Sequence, residues 1–350
     1  MAREPHEYPW SSYRCELQAG SESREIQTLR EQLWMLGDLE ESAIEGTRYD
    51  TALASGVRRF QKRHGLKTDG IVGKRTRAAL SVPVEQRIQL IRLNLERWRW
   101  LPRDLGDRYI TVNTAAFELQ VHEGDRIPLS MRVIVGKKKR ETPVFTENMQ
   151  YLIVNPYWHV PTKLAIRDLI PAQVRDPNYF VRKRIRVLSS WQSDAVELHP
   201  DLIDWQSFLE GRYLAYKLRQ DPGAQNSLGR IKFMLPNPYS IYLHDTPARH
   251  LFDKPVRTFS SGCIRVEDAY DLANYVLADG NRRYPEGRIE DIIAQGETRS
   301  LPLPRPLPVY MLYQTAWVGR DGRVQFRDDV YRRDRGLALA LPERSARYRL

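Results

Sequence analysis

A chain of 350 residues with 41% hydrophobic content can bury two or three cores and is too apolar to be disordered. It has no run of about 18 apolar residues that would cross a membrane, and Met1 to Glu7 lack the apolar centre of a secretory leader. The formal charge of +11 is spread along the chain among 44 acidic residues. It therefore reads as a solvated surface with no nucleic-acid partner, even where Arg97-Trp98-Arg99-Trp100 interleaves basic and aromatic side chains.

Residues 1–24 read as an N-terminal tail or the remnant of a longer region, with Cys15 incidental. Residues 25–81 read as a small helical domain. Ile26, Leu29, Leu33 and Leu36 share one helix face up to a stop at Gly37, Val57 and Phe60 begin a second helix that ends at Gly65, and Thr76 to Leu80 close a third. Phe60-Gln61-Lys62-Arg63-His64-Gly65, followed by Asp69-Gly70-Ile71-Val72-Gly73, resembles the small three-helix peptidoglycan-binding domain. In that likeness Phe60 packs the core and the glycines turn the chain. The implied role is targeting, with no glycan contact assigned.

Residues 82–105 form a helical connector with Ile88, Ile91, Leu95 and Trp98 on a common stripe, expected to pack against a neighbouring domain. From about 106 to 330 the texture is strand. Tyr109–Asn113, Phe117–Val121 and Pro128–Val135 alternate with period two, and Gly124-Asp125 makes a turn. The pattern breaks over 162–228, a helix-like, charged and aromatic insertion holding Trp191 and Trp205, and resumes at Gly229-Arg230-Ile231-Lys232. An insertion of that length acts as a lid or an accessory subdomain. Residues 331–350 read as a C-terminal tail.

The chemistry concentrates in Tyr242-Leu243-His244-Asp245-Thr246-Pro247 and in Ser260-Ser261-Gly262-Cys263-Ile264-Arg265, with Cys263 nineteen residues after His244. A thiolate is the attacking form of cysteine and a nearby imidazole can generate it, so Cys263 is the candidate nucleophile and His244 its general base and acid. Gly262 permits a sharp turn that could aim the N–H groups of Gly262 and Cys263 at a developing oxyanion. Val266, Ala269, Tyr270, Ala273 and Val276 have helical spacing, which would place the thiol near a helix start. The carboxylate of Asp245 could orient the imidazole or form a turn before Thr246-Pro247, and Arg265 could meet a substrate carboxylate or tie down its loop. A zinc hydrolase using His244, His250 and Cys263 is a rival, although no HxxxH or CxxC pair supports it. The remaining rival is a non-catalytic wall- or nucleic-acid-binding protein that keeps this site without using it.

These motifs look like the active site of the L,D-transpeptidases with a YkuD-type catalytic domain. The Ser-Ser-Gly-Cys form is similar to the large periplasmic branch typified by YcbB, and Ser261 stands where the common pattern has His. Asn94 to Pro102, Asn155 to Pro161 and Tyr313 to Trp317 also resemble that branch. The likeness implies an α+β multidomain fold: a mostly β catalytic domain with a helical cap insertion over the substrate groove, plus the three-helix domain. It implies a transferase that joins peptidoglycan stem peptides 3→3 through a Cys263 thioester, with hydrolysis as the alternative outcome and no cofactor or metal. The backbone carbonyl of Asp245 would orient His244. Trp158, Tyr242, Ser261 and Arg265 would line the substrate site, with buried packing an alternative for the two aromatics. Carbapenem β-lactams would acylate Cys263, and the protein would be periplasmic, its signal or anchor lying outside these residues.

Overall fold

The computed structural model describes residue 10, residues 13–278 and residues 288–341, arranged as two compact units, one of Met1–Leu105 with Tyr313–Leu350 and one of Gly106–Leu312. The sequence-based boundary at 330 therefore moves to Leu312. Residues 342–350 of the expected tail lie outside the described residues.

The first unit is built on α1 (Arg24–Met35), α2 (Thr51–Arg63), α3 (Lys74–Leu80) and α4 (Val84–Arg99). Ile26, Leu29, Leu33, Leu53, Val57 and Phe60 form one buried core, which also takes in Trp10 and Leu17, so this part of the expected tail belongs to the fold. Leu17 even bridges to Val72. α2 begins at Thr51, a turn and a half before Val57, because the Asp50 carboxylate accepts the Leu53 N–H at 2.8 Å and caps the helix there.

The apolar stripe of α4 differs from expectation. Ile88, Leu95 and Trp98 are 44%, 59% and 42% exposed, and the buried side chains are Arg87, Leu93, Asn94 and Arg97. The reason is polar. Asn94 Nδ2 donates to Thr315 Oγ1 at 2.9 Å, the Thr315 N–H donates to Asn94 Oδ1 at 2.9 Å, and Arg97 pairs with Asp334 at 2.6 Å. Asp334 lies in the helix Arg333–Ala340, so residues read as a tail complete this buried network.

The second unit holds a sheet of nine strands and a smaller one of four. In chain order the strands are β1 (Arg108–Asn113), β2 (Glu118–Glu123), β3 (Arg126–Gly136), β4 (Phe145–Val154), β5 (Trp158–His159), β6 (Ile185–Leu188), β7 (Glu197–Leu198), β8 (Lys217–Gln220), β9 (Ile231–Met234), β10 (Leu243–His244), β11 (Thr258–Ser260), β12 (Ile264–Val266) and β13 (Arg299–Leu312). The large sheet runs β11-β3-β12-β10-β9-β4-β13-β1-β2, and β2 also pairs with β3, so the order closes on itself. Alternation buries Ile110, Val112, Leu119, Val133, Leu152, Phe233, Leu243 and Ile264. No helix among the described residues is long and apolar enough to cross a membrane.

The insertion is a second sheet, β5-β8-β6-β7, over its own core of Val160, Ile170, Phe180, Val187, Phe208 and Leu218. It starts earlier than residue 162, because Trp158 and His159 pair with Gln220 and Arg219 on β8.

Candidate active site

His244 and Cys263 come together through a parallel strand pair. Leu243 and His244 on β10 lie opposite Ile264 and Arg265 on β12, and the Ile264 N–H donates to the Tyr242 carbonyl at 3.1 Å. In parallel strands residues in register point to the same side and every second residue shares a face. Leu243 and Ile264 therefore enter the core, while Tyr242, His244, Cys263 and Arg265 share the opposite face. A step of two residues along and one strand across separates the His244 and Cys263 Cα atoms by roughly 8 Å. No hydrogen bond joins the two side chains.

The buried imidazole has its Nδ1 2.6 Å from the carbonyl oxygen of Asp245. A carbonyl can only accept, so Nδ1 carries the proton and Nε2 keeps a free lone pair. The Asp245 carboxylate is engaged elsewhere: Oδ2 accepts the Arg230 N–H at 2.8 Å, and a Cβ at Gly229 would lie 2.2 Å from it. That carboxylate braces the 229–230 turn and does not touch the ring.

Burial, then the charges of Arg265 and Lys232, pull the His244 imidazole down to about 3, so it is neutral at physiological pH. Burial pushes the Cys263 thiol up, opposed by the N–H and hydroxyl of Tyr242 and by the charges of Lys232 and Arg265. At rest this is a neutral thiol beside a neutral imidazole.

Lys232 was not singled out in the sequence. It sits on β9 directly opposite His244, with Nζ 3.9 Å from the centre of the Tyr242 ring, and burial lowers its pKa. Only the β9–β10 pairing brings it here; its one sequence signal is a lysine at an alternating position of a strand that otherwise buries Ile231 and Phe233. Burial raises the Tyr242 phenol well above its ordinary value, with Cys263 adding to that shift and Trp158 opposing it, and the Cys263 Sγ lies 3.8 Å from the Ser240 carbonyl oxygen. Arg265 has a buried Nε with no partner among the described residues.

The Gly262 expectation needs correction. With φ at +119°, Gly262 turns its N–H back onto Ser260 Oγ at 3.1 Å, so that donor is occupied. Its carbonyl accepts from the buried Thr142 hydroxyl at 2.7 Å, which orients the 262–263 peptide and aims the Cys263 N–H the other way. No described residue accepts from that N–H. The expected helix start also lies elsewhere: β12 follows Cys263 and the helix begins only at Ala269. Ser261 Oγ accepts from Arg140 Nη1 at 2.8 Å, and Arg140 Nη2 donates to Asp168 of the insertion at 2.8 Å. Both cysteines are free, and among the described residues no cluster of three or more His, Cys, Asp or Glu could hold a metal ion.

The family described as the L,D-transpeptidase catalytic domain (YkuD) matches residues 107–299, more than half of the chain. The chain belongs to this L,D-transpeptidase family. A second match, the "Putative peptidoglycan binding domain", covers residues 22–80 of the helical unit. A Haemophilus influenzae protein named "Putative L,D-transpeptidase" is 36% identical over 252 residues, which is 72% of this chain and 49% of that protein. The chain thus spans about half the length of this relative. Among solved structures, the L,D-transpeptidase of Xylanimonas cellulosilytica is similar at 15% identity and a TM-score of 0.28, covering 86% of this chain and 98% of that one. An L,D-transpeptidase of Stackebrandtia nassauensis is similar at 11% identity and a TM-score of 0.31, covering 85% and 94%.

Proposed function

We propose that this protein cross-links peptidoglycan stem peptides 3→3 through a thioester on Cys263. The observation that carries the reading is the parallel β10–β12 register, which sets His244 and Cys263 on one face with Lys232 and Arg265 beside them. Cys263 Sγ attacks the carbonyl of the third stem residue while its proton passes to Nε2 of His244. The amide C–N bond then breaks, and the D-amino acid leaves as an amine with the proton returned by His244. The side-chain amine of a second stem attacks the thioester, loses a proton to His244 and releases the thiol.

The neutral resting pair places proton transfer within the attack itself. Lys232, Arg265 and the Tyr242 donors favour charge on sulfur as it develops, and the Cys263 N–H is the backbone donor for the oxyanion. A carbapenem presents a strained amide to the same sulfur and would leave a stable acyl-enzyme. Residues 22–80 would hold the enzyme on the wall, and the site of action would be periplasmic.

The test is incubation with a disaccharide-tetrapeptide and separation of products by mass. A dimer linked between third residues supports the reading. A tripeptide alone shows that water resolves the thioester, making the protein an L,D-carboxypeptidase.

A further inference from the structure

We propose that Arg140 is a positioning residue that ties the insertion to the nucleophile loop and holds the Cys263 N–H in its oxyanion direction. The inference rests on the acyl transfer proposed above and adds what keeps the backbone donor of that reaction aimed.

The nucleophile loop does not fix its own direction. Gly262 has no Cβ and sits at a φ of +119°, and glycine turns away from such a conformation at little steric cost, so the peptide that carries the Cys263 N–H must be held from outside. The holder is the turn after β3. The Lys137 N–H donates to the Ser260 carbonyl at 3.0 Å, and Thr142 Oγ1 accepts the Gly136 N–H at 3.0 Å while donating to the Gly262 carbonyl. The turn itself is tight: a Cβ at Gly136 would lie 2.1 Å from the Arg140 carbonyl oxygen, and the Arg140 N–H closes it on the Lys137 carbonyl at 2.7 Å. Arg140 is thereby brought to Ser261, between the two anchored residues, and donates to its hydroxyl at 2.8 Å.

The same guanidinium reaches the insertion. Nη1 donates to Asp168 Oδ2 at 2.5 Å and Nη2 to Oδ1 at 2.8 Å, a forked pair that a lysine ammonium cannot reproduce while also holding Ser261. Asp168 lies in a π-helical turn, Ala165–Leu169, a rare conformation found often at functional sites. Ala165 and Leu169 on either side of it are buried in the insertion's own core. Asp168 is therefore fixed to the insertion and Ser261 to the thiol, and one side chain joins them. Arg140 and Asp168 are 20% and 39% exposed, so their ion pair adds little to folding stability and its consequence is geometric. A ligand contact that steadies the insertion thereby steadies the oxyanion donor as well.

The experiment follows intact mass of the full chain over time with two reagents: a carbapenem, whose attack by Cys263 creates an oxyanion, and iodoacetamide, whose displacement by the same sulfur does not. Arg140→Gln should slow acylation roughly tenfold, a fraction of the about 10²–10³ that loss of a whole oxyanion donor costs, and leave alkylation within about twofold of the parent. Asp168→Asn should slow acylation several-fold, and Arg140→Lys should fall between the parent and Arg140→Gln. Arg140→Gln combined with Asp168→Asn should be no slower than Arg140→Gln alone, because both act through one link. Melting temperature should change little throughout. Unchanged acylation in both single variants, equal slowing with both reagents, or additive losses in the combined variant overturns the role of Arg140 and leaves the acyl-transfer reading standing. A parent that alkylates but does not acylate overturns that reading and this one with it.

Discussion

Two polar clusters lie below the surface of this molecule, and they are built on opposite terms. In the first unit Asn94, Arg97, Thr315 and Asp334 form a closed set: one cation, one anion, and an amide and a hydroxyl that satisfy each other. In the second unit Lys232, His244, Cys263 and Arg265 share a sheet face with two cations and no carboxylate among them. A closed network fixes the fold around α4. An open one leaves positive potential and donors aimed at a ligand, which is how a site differs from a structural core.

The largest expected effect separates the clusters by function. His244→Gln removes the base but leaves packing nearly intact, so acylation should slow by about 10²–10⁴ with little change in melting temperature. Equal loss of both would make His244 a structural residue. Arg97→Met should do the reverse. It strands the Asp334 carboxylate, whose pKa burial already raises, and should cost about 3–5 kcal/mol in urea unfolding while Cys263 still acylates. Adding Asp334→Leu should restore most of that stability, and failure to do so would mean the pair is not the source.

Acid should test both units. Burial holds His244 at about 3 and His64 in the first unit at about 2, both below the ordinary value of 6.5. The unfolded chain therefore binds more protons between those limits, and stability is complete above about 6.5 and declines as pH falls toward 3. Each histidine contributes a slope of about 1.4 kcal/mol per pH unit. Thermal unfolding at pH 7 and pH 5 should show lower transitions at pH 5, and a flat profile would contradict the burial argument. Acylation over the same range should show no inflection near 6.5. The smallest effect sharpens the open cluster: Lys232→Gln removes a charge that favours the thiolate, so alkylation of Cys263 at fixed pH should slow a few-fold. Faster alkylation would reverse the assigned role.

Legibility followed the range of the interactions. His244 and Cys263 stood out because the chemistry lies in two short motifs, and the strands of the second unit showed through alternation at Tyr109–Asn113 and Pro128–Val135. Lys232 was hidden because its role arises from the β9–β10 pairing. The Gly262 N–H was misassigned because its direction depends on a backbone angle and on Ser260 Oγ, neither of which spacing reveals. Periodicity in α4 showed an apolar stripe, yet the buried face was chosen by Thr315 and Asp334, more than two hundred residues later. β13 was masked by Pro302, Pro304, Pro306 and Pro308, which argue against a central strand. The sheet accommodates Pro304 and Pro306 where pairing with β4 shifts between Pro302 and Leu307, and on the other side β1 pairs only with Val309 to Leu312, past Pro308.

The central claim is that Cys263 is an acylatable thiol served by His244, and intact mass after exposure to a carbapenem tests it most directly. One adduct on the parent and on Cys15→Ser, absent from Cys263→Ala and delayed in His244→Gln, is the predicted result. An adduct that survives Cys263→Ala, or none on the folded and reduced parent, would contradict it.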